Sequence, residues 1–158
     1  MNGTRRETLA ALAGGAAALA GCMDALGESE SASEFRIETL AFASVQPTGY
    51  DEYEPQPDAT FERGETVWFY IGVLDPTPRR ATVELDAAFT ISMPDGELIE
   101  AADSVAVDTQ GRELDGMVVT NGFFTSTEFP TGTYELTVDL TDTNSGETAV
   151  VTGEFILT

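Results

Sequence analysis

Cys22 is the residue whose type and position most clearly indicate chemistry, because it is the only cysteine of the chain. It follows Leu19-Ala20-Gly21, at the end of an apolar run that begins at Leu9. One cysteine cannot form an intramolecular disulfide. A thiol is also the side chain most easily alkylated with a diacylglycerol-type group. The spacing therefore predicts lipid attachment at Cys22, and the alternative is a small buried side chain in an alanine-rich helix.

The remaining composition excludes most catalytic chemistry. The chain has 158 residues and no histidine, and all seven of its basic residues are arginines. Nucleophiles activated by histidine or lysine, imidazole metal ligands, Schiff bases and P-loop phosphate binding are therefore excluded. With 28 acids the net charge is −21, which repels nucleic acids and anionic headgroups. We expect neither an enzyme nor a nucleic-acid partner.

Oxygen-bearing side chains cluster around one predicted turn, at residues 142–146. Hard oxygen ligands at this density could bind Ca²⁺, and the candidates are Asp139, Asp142, Asn144 and Glu147. The spacing does not fit an EF-hand, because the twelfth position counted from Asp142 is Gly153, where that motif has Glu. A hairpin turn in an acidic protein supplies the same residues without a metal. Calcium is thus one of two interpretations, and no other dissociable cofactor is expected.

The segment 45–60 could form a surface for a binding partner. It has no periodicity of its own and carries Tyr50 and Tyr53 among acids and prolines. Long loops are often functional, and exposed aromatic side chains dominate contact energy. The alternative is a loop that covers a sheet edge, with its tyrosines packed on the sandwich.

Arg79 and Arg80 form the only basic pair after Cys22. They follow Pro76-Thr77-Pro78, with Glu84 close by in the sequence. We expect them to neutralise such carboxylates, and the alternative is a docking point for an acidic partner.

The first 21 residues have the pattern of an export signal. The run 9–20 contains only Leu, Ala and Gly, and its 12 residues are too few for a membrane-spanning helix, which needs about 20. A charged start before a short apolar stretch is typical of signal peptides. Thr4-Arg5-Arg6-Glu7-Thr8-Leu9 resembles the twin-arginine motif, with Thr8 in place of its bulky residue. Leu19-Ala20-Gly21-Cys22 resembles the lipobox of exported lipoproteins.

This resemblance to twin-arginine-exported lipoproteins implies cleavage before Cys22, which becomes the lipidated first residue on the outer face of the cell membrane. Stable anchoring needs two lipid chains. Residues 22–33 would form a flexible acidic tether, because they lack periodic apolar positions, and residues 34–158 one domain. The acid-rich, lysine-free composition resembles that of haloarchaeal proteins, whose self-repulsion is screened in molar salt at a Debye length of about 3 Å.

Alternating apolar residues predict that the domain is all-β. In 81–93 every odd-numbered residue is apolar, which is typical of a strand buried on one face. The nearly continuous apolar stretch 66–74 predicts a central strand covered on both faces. Five further strands are predicted, the last three from weaker patterns: 133–141, 147–157, 35–43, 104–108 and 116–125. About seven short strands separated by turn residues predict an antiparallel β-sandwich.

The segment Pro130-Thr131-Gly132-Thr133-Tyr134-Glu135-Leu136 resembles the stretch around the start of strand F in immunoglobulin-like domains. The resemblance implies an immunoglobulin-like or fibronectin-like sandwich, in which Tyr134 is the corner tyrosine and Leu136 stands where antibody-type domains have cysteine. Together with Phe61-Glu62-Arg63-Gly64-Glu65-Thr66-Val67, this segment also resembles bacterial and archaeal envelope sandwich modules, which include a proteinase-inhibitor family.

These features predict a lipid-anchored, non-catalytic module at the cell surface that binds an envelope or secreted protein through loops or a sheet edge. The first alternative is an inhibitor of secreted proteases, which would need a rigid exposed loop. The second is a hydrolase that uses carboxylates alone, which would need two acids buried in a cleft.

Overall fold

The alternation of apolar and polar residues produces strands with one buried face and one solvated face. The computed structural model describes residues 34–158, which form eight strands. Their bounds are β1 Arg36–Ala43, β2 Thr60–Phe61, β3 Thr66–Leu74, β4 Thr82–Ser92, β5 Leu98–Asp108, β6 Gly116–Phe124, β7 Gly132–Asp142 and β8 Thr148–Leu157. Within the described residues no helix is long and apolar enough to cross a membrane.

The strands form two sheets, which pack face to face as an immunoglobulin-like sandwich. The three-stranded sheet has the order β1-β3-β6, and the five-stranded sheet has the order β2-β8-β7-β4-β5. Neighbouring strands are antiparallel, except that β2, only two residues long, runs parallel to β8. The predicted all-β sandwich is therefore confirmed, with seven long strands and β2 as a short eighth.

Phe155 of β8 lies at the centre of the core. Five aromatic rings surround it, with ring centroids 5.2 to 6.4 Å away: Phe42, Phe61, Phe69, Phe123 and Tyr134. Two residues before it, Gly153 allows the two sheets to approach closely, because a Cβ at that position would lie 2.8 Å from Cδ2 of Leu40 in β1. The core thus fixes β8 against the three-stranded sheet.

Tyr134 forms the predicted corner at the start of β7. Its side chain is fully buried, and its hydroxyl donates a 2.7 Å hydrogen bond to the carbonyl of Pro130. Burial raises the pKa of the Tyr134 phenol. Leu136, at the position of the absent cysteine, is also fully buried. Both features agree with the resemblance to immunoglobulin-like domains.

The largest difference from the predicted strands concerns β5. The prediction began at Ser104, whereas the strand begins at Leu98. β5 is an edge strand, and after the half-buried Ile99 its residues 100–104 are exposed on both faces. Alternation appears only where one face is buried, so that the sequence pattern detects the second half alone.

Three connections lie at the same end of the sandwich. They join β3 to β4 (residues 75–81), β5 to β6 (109–115) and β7 to β8 (143–147). The register places them together, because β4 begins opposite the end of β5 and beside the end of β7. The predicted partner residues Arg79 and Arg80 and most of the predicted calcium ligands therefore lie at this end.

Candidate functional site

Arg79 and Arg80 lie in a tight turn, residues 79–82, which we call the arginine turn. It is closed by two backbone hydrogen bonds, from the Arg79 N–H to the Thr82 carbonyl at 2.8 Å and from the Thr82 N–H to the Arg79 carbonyl at 3.1 Å. The φ angles of the central residues, Arg80 and Ala81, are 53° and 65°. Positive φ at both central positions defines a type I′ turn, which favours Asn and Gly there. Each non-glycine residue in this region costs on the order of 1 kcal/mol.

Asp142 and Asn144 hold the base of the arginine turn. Asp142 is fully buried, and its Oδ2 accepts a 2.7 Å hydrogen bond from the N–H of Thr77. Its Oδ1 accepts hydrogen bonds from the backbone N–H groups of Asn144 at 2.9 Å and Ser145 at 3.3 Å. The Asn144 amide donates to the carbonyls of Thr77 at 2.8 Å and Thr82 at 2.9 Å. The β7–β8 connection therefore fixes the backbone on both sides of the two arginines.

These hydrogen bonds account for the residues predicted to bind calcium, and the predicted cluster is not assembled. Asp139 and Asp142 lie three positions apart on β7, so that Asp139 points to solvent and Asp142 to the interior. The Asp142 oxygens accept N–H groups, and the Asn144 amide acts as a donor. Glu147 is exposed. In residues 34–158 no three His, Cys, Asp or Glu side chains are grouped so that they could hold a metal ion.

The arginines face an open cleft and are not paired with the expected carboxylate. The cleft has a volume of about 430 Å³ and is lined by Arg79, Arg80, Thr82, Glu84 and Asn144. The predicted neutralisation of Glu84 by these arginines is not observed within residues 34–158, where the Glu84 carboxylate instead accepts a hydrogen bond from the Thr143 hydroxyl at 3.4 Å. The one ion pair within residues 34–158 joins Arg36 to Asp75 at 2.8 Å. Both guanidinium groups of the arginine turn are thus exposed without a described carboxylate partner.

The segment 45–60 folds over the outer face of the three-stranded sheet. The ring of Tyr53 stacks on that of Tyr70 in β3, with centroids 3.8 Å apart, and the Asp51 N–H donates to the Tyr70 hydroxyl at 3.0 Å. Tyr70 is buried as a result, and burial raises its pKa while the Asp51 N–H lowers it. β3 is therefore covered on both faces, as predicted.

Tyr50 lies at the end of the sheet where the β3–β4 connection begins. Its hydroxyl donates a 2.7 Å hydrogen bond to Oε2 of Glu38, and this bond to a carboxylate is the main reason why its pKa is raised to about 12. Its ring stands over Gly116, since a Cβ there would lie 3.0 Å from Tyr50 Cε2. Tyr50 remains 37% exposed. Of the two predicted contact tyrosines, Tyr53 is used in packing, whereas Tyr50 keeps an accessible ring.

The predicted lipidation and export residues lie outside the described residues. They are Arg5, Arg6 and Leu9 of the export motif, and Leu19, Ala20, Gly21 and Cys22 of the lipobox. The signal peptide 1–21 and the tether 22–33 lie outside them as well.

Comparison with known proteins assigns no family. No family model matches the chain, and no curated protein matches it. Among solved structures, a β-glucuronidase of Bacteroides uniformis matches with a TM-score of 0.49 and 12% identity, over 76% of this chain and 14% of the glucuronidase. The CARDB domain of a Pyrococcus furiosus protein matches with 0.39 and 12%, over 76% of this chain and 88% of that domain. Neelaredoxin from Ignicoccus hospitalis matches with 0.43 and 10%, over 77% of this chain and 82% of neelaredoxin. At these values the likenesses carry no functional assignment.

Proposed function

We propose that this protein is a lipid-anchored binding module on the outer face of the cell membrane, without catalytic activity, and that its arginine turn contacts an acidic partner. The anchor is supported by the lipobox-like Leu19-Ala20-Gly21-Cys22 and the arginine pair Arg5-Arg6 before the apolar run. The acid-rich, lysine-free composition supports a halophilic setting in which molar salt surrounds the protein.

The proposed binding role rests on one observation, the conformation of the arginine turn. Arg80 and Ala81 both adopt a left-handed φ that glycine would adopt without cost. Backbone strain of this kind tends to be retained where it serves function. The buried Asp142 and the half-buried Asn144 hold the backbone on both sides of the arginines from the neighbouring β7–β8 connection, so that little backbone entropy remains to be lost when the arginines bind.

Charge also favours an acidic partner. Residues 34–158 contain only five of the seven arginines, and Arg79 and Arg80 are adjacent. In a chain with 28 acids, two neighbouring guanidinium groups would ordinarily be expected to pair with carboxylates. Arginine binds carboxylate and phosphate groups bidentately, which gives directional recognition in high salt.

The anchor is tested by fractionation of cells that express the full chain with and without Cys22→Ser. We expect the wild type in the membrane fraction, extractable by detergent, and the variant released from the membrane. A variant that stays in the membrane fraction like the wild type, or a wild type that stays in the cytosol, would contradict the proposal.

The binding role is tested by affinity capture from native membranes at molar salt. The bait is the full chain, compared with Arg79→Gln/Arg80→Gln and with the control Arg112→Gln, an exposed arginine of the β5–β6 connection. We expect the wild type and Arg112→Gln to recover acidic proteins. The double variant should not recover them. Equal recovery with all three baits would remove the arginine turn from the proposal.

Inhibition of secreted proteases is favoured by one observation, the rigidity and exposure of the arginine turn. A protease cleft, however, takes an extended peptide, and a two-residue turn closed by two hydrogen bonds is not extended. Inhibition assays against several protease classes separate the two functions.

The hydrolase alternative needs two acids buried in a cleft. Asp142 is the only buried acid within residues 34–158, and both its oxygens accept hydrogen bonds from N–H groups.

A further inference from the structure

β6 is a sheet edge without charge. It is the outermost strand of the three-stranded sheet, and none of its nine residues, Gly116–Phe124, carries a charged side chain. Within residues 34–158, no backbone hydrogen bond outside the strand ladders involves β6. One N–H of the strand, that of Gly122, donates to the Asn121 side chain at 2.7 Å. An unpaired edge of this kind is a template for another strand.

The other sheet edges are protected against strand addition. At β1 the segment 45–60 returns along the edge, where the Gln56 N–H donates to the Phe42 carbonyl at 2.9 Å. β5 carries exposed Glu100, Asp103 and Asp108, and charged residues on an edge disfavour pairing. β2 covers only the last two residues of β8, and the uncovered part of β8, residues 148–155, carries the exposed Glu154. β6 is thus the long edge that lacks both a cover and charges.

The absence of charged side chains on β6 makes a second copy of this chain a suitable strand to pair with it. The chain has a net charge of −21, so that two copies repel each other wherever their acidic surfaces meet. Contact through β6 brings together two neutral strands and keeps charged side chains out of the strand–strand contact. Molar salt, with a Debye length of about 3 Å, screens the repulsion between the remaining surfaces.

The residue pattern of β6 is complementary to itself. We propose that β6 pairs antiparallel with β6 of a second copy, about a two-fold axis at Thr120. In this register Phe124 lies opposite Gly116, and Val118 lies opposite Gly122, so that each larger side chain faces a glycine. Phe124 is 67% exposed in the single chain. Aromatic residues across from edge glycines stabilise strand pairs, and Thr–Thr pairs are also favourable.

The same register gives Tyr50 a role. The Tyr50 ring stands over Gly116 and is 37% exposed. Phe124 of one copy therefore reaches the Tyr50 ring of the other, once on each side of the axis. Aromatic pairs of this kind stabilise a contact beyond the area they bury. The dimer would join two three-stranded sheets into one sheet of six strands.

The register is tested by disulfide cross-linking. In the full chain with Cys22→Ser, Thr120→Cys supplies the only cysteine. Directly opposite residues of antiparallel strands have Cα atoms about 4.5–5.5 Å apart, which suits a disulfide. The matched control is Thr152→Cys, an exposed threonine on the outer face of β8. We expect a covalent dimer for Thr120→Cys and not for Thr152→Cys at molar salt under mild oxidation. No dimer, or equal dimer in both variants, would overturn the proposal.

The interface is tested by sedimentation of the full chain with Cys22→Ser in molar and in dilute salt. We expect the mass of a dimer in molar salt and a shift towards monomer in dilute salt. Thr120→Asp places two like charges opposite each other on the axis and should give a monomer in molar salt, whereas Thr152→Asp should remain dimeric. A monomeric parent chain, or a dimer that Thr120→Asp does not disrupt, would overturn the proposal. Unfolding midpoints of the two Asp variants show whether each is folded.

Discussion

At the scale of single residues, Asp139 and Asp142 have opposite surroundings although they lie on the same strand. Asp139 faces solvent, as most acids of the chain do. Asp142 is fully buried, and both its oxygens accept backbone N–H groups. Loss of a buried acceptor leaves a donor without a partner, which costs about 1–3 kcal/mol. Burial therefore decides which of the acids contributes to the structure.

We expect Asp142→Asn to lower the free energy of unfolding by about 1–3 kcal/mol, because its amide group would face the N–H of Thr77 or those of the β7–β8 connection. Denaturant titration at molar salt measures the change. The control is Asp139→Asn on the same strand, which should alter the value by no more than about 0.5 kcal/mol. Equally small effects of the two substitutions would contradict the structural role of Asp142.

The raised pKa of Tyr50 predicts that the stability of the folded protein decreases at alkaline pH. Its hydrogen bond to the Glu38 carboxylate, with burial as the second cause, raises its pKa from 10.0 to about 12. The neutral phenol is favoured in the folded protein, so the stabilisation is complete below pH 10 and is lost as pH rises towards 12. We expect Glu38→Gln to lower the pH at which one tyrosine ionises, measured by tyrosinate absorbance. Identical titration curves for wild type and variant would refute this assignment.

At the scale of elements, the strand patterns predict most of the fold, and long-range hydrogen bonds account for the rest. β3 and β4 were predictable because their buried positions are continuous or strictly alternate. The short β2 was not, since two residues carry no period and the strand exists only through its pairing with β8. Residues 100–104 of β5 are exposed on both faces and therefore carry no alternating signal.

The arginines of the candidate site were predictable from the sequence. The hydrogen bonds that hold the backbone around them were not. The adjacent Arg79 and Arg80 are visible in the sequence of an acidic chain. Asp142 accepts from the Thr77 N–H and Asn144 donates to the Thr82 carbonyl, and each of these hydrogen bonds joins residues more than 60 positions apart. The density of their side-chain oxygens suggested calcium ligands in the sequence, and only the fold shows that they bind backbone groups.

The strain of the arginine turn predicts that glycine is better tolerated there than alanine. We expect Ala81→Gly to raise the free energy of unfolding by up to about 1 kcal/mol, because glycine adopts the φ of 65° without steric cost. Ala88→Gly, in the middle of β4, is the matched control and should lower it by about 0.5–1 kcal/mol. Denaturant titration of both variants measures the changes. A loss of stability in Ala81→Gly as large as that in the control would show that the turn stores no strain.

At the scale of the whole molecule, acidic residues far outnumber basic ones in the described part of the chain. Four of the 28 acids and two of the seven arginines precede residue 34, which leaves 24 acids and five arginines in the described residues. Glu135 of β7 and Glu154 of β8 lie directly opposite each other on the outer face of the five-stranded sheet. Like charges in this arrangement destabilise a strand pair. We therefore expect this like-charge pair to destabilise the folded state more in dilute salt than in molar salt.

We therefore expect the melting temperature to rise between about 0.1 M and 1 M KCl, where the Debye length falls from about 10 Å to 3 Å. Glu154→Gln removes one charge of the opposed pair, and it should raise the free energy of unfolding by about 0.2–1 kcal/mol in dilute salt and by less in molar salt. The control is Glu113→Gln in the β5–β6 connection, which removes the same charge away from any strand partner. Thermal unfolding of the three chains at both salt concentrations measures the difference. If the two substitutions have equal effects, the salt dependence reflects net charge alone. If Glu154→Gln retains its full effect in molar salt, the opposed carboxylates are not its cause.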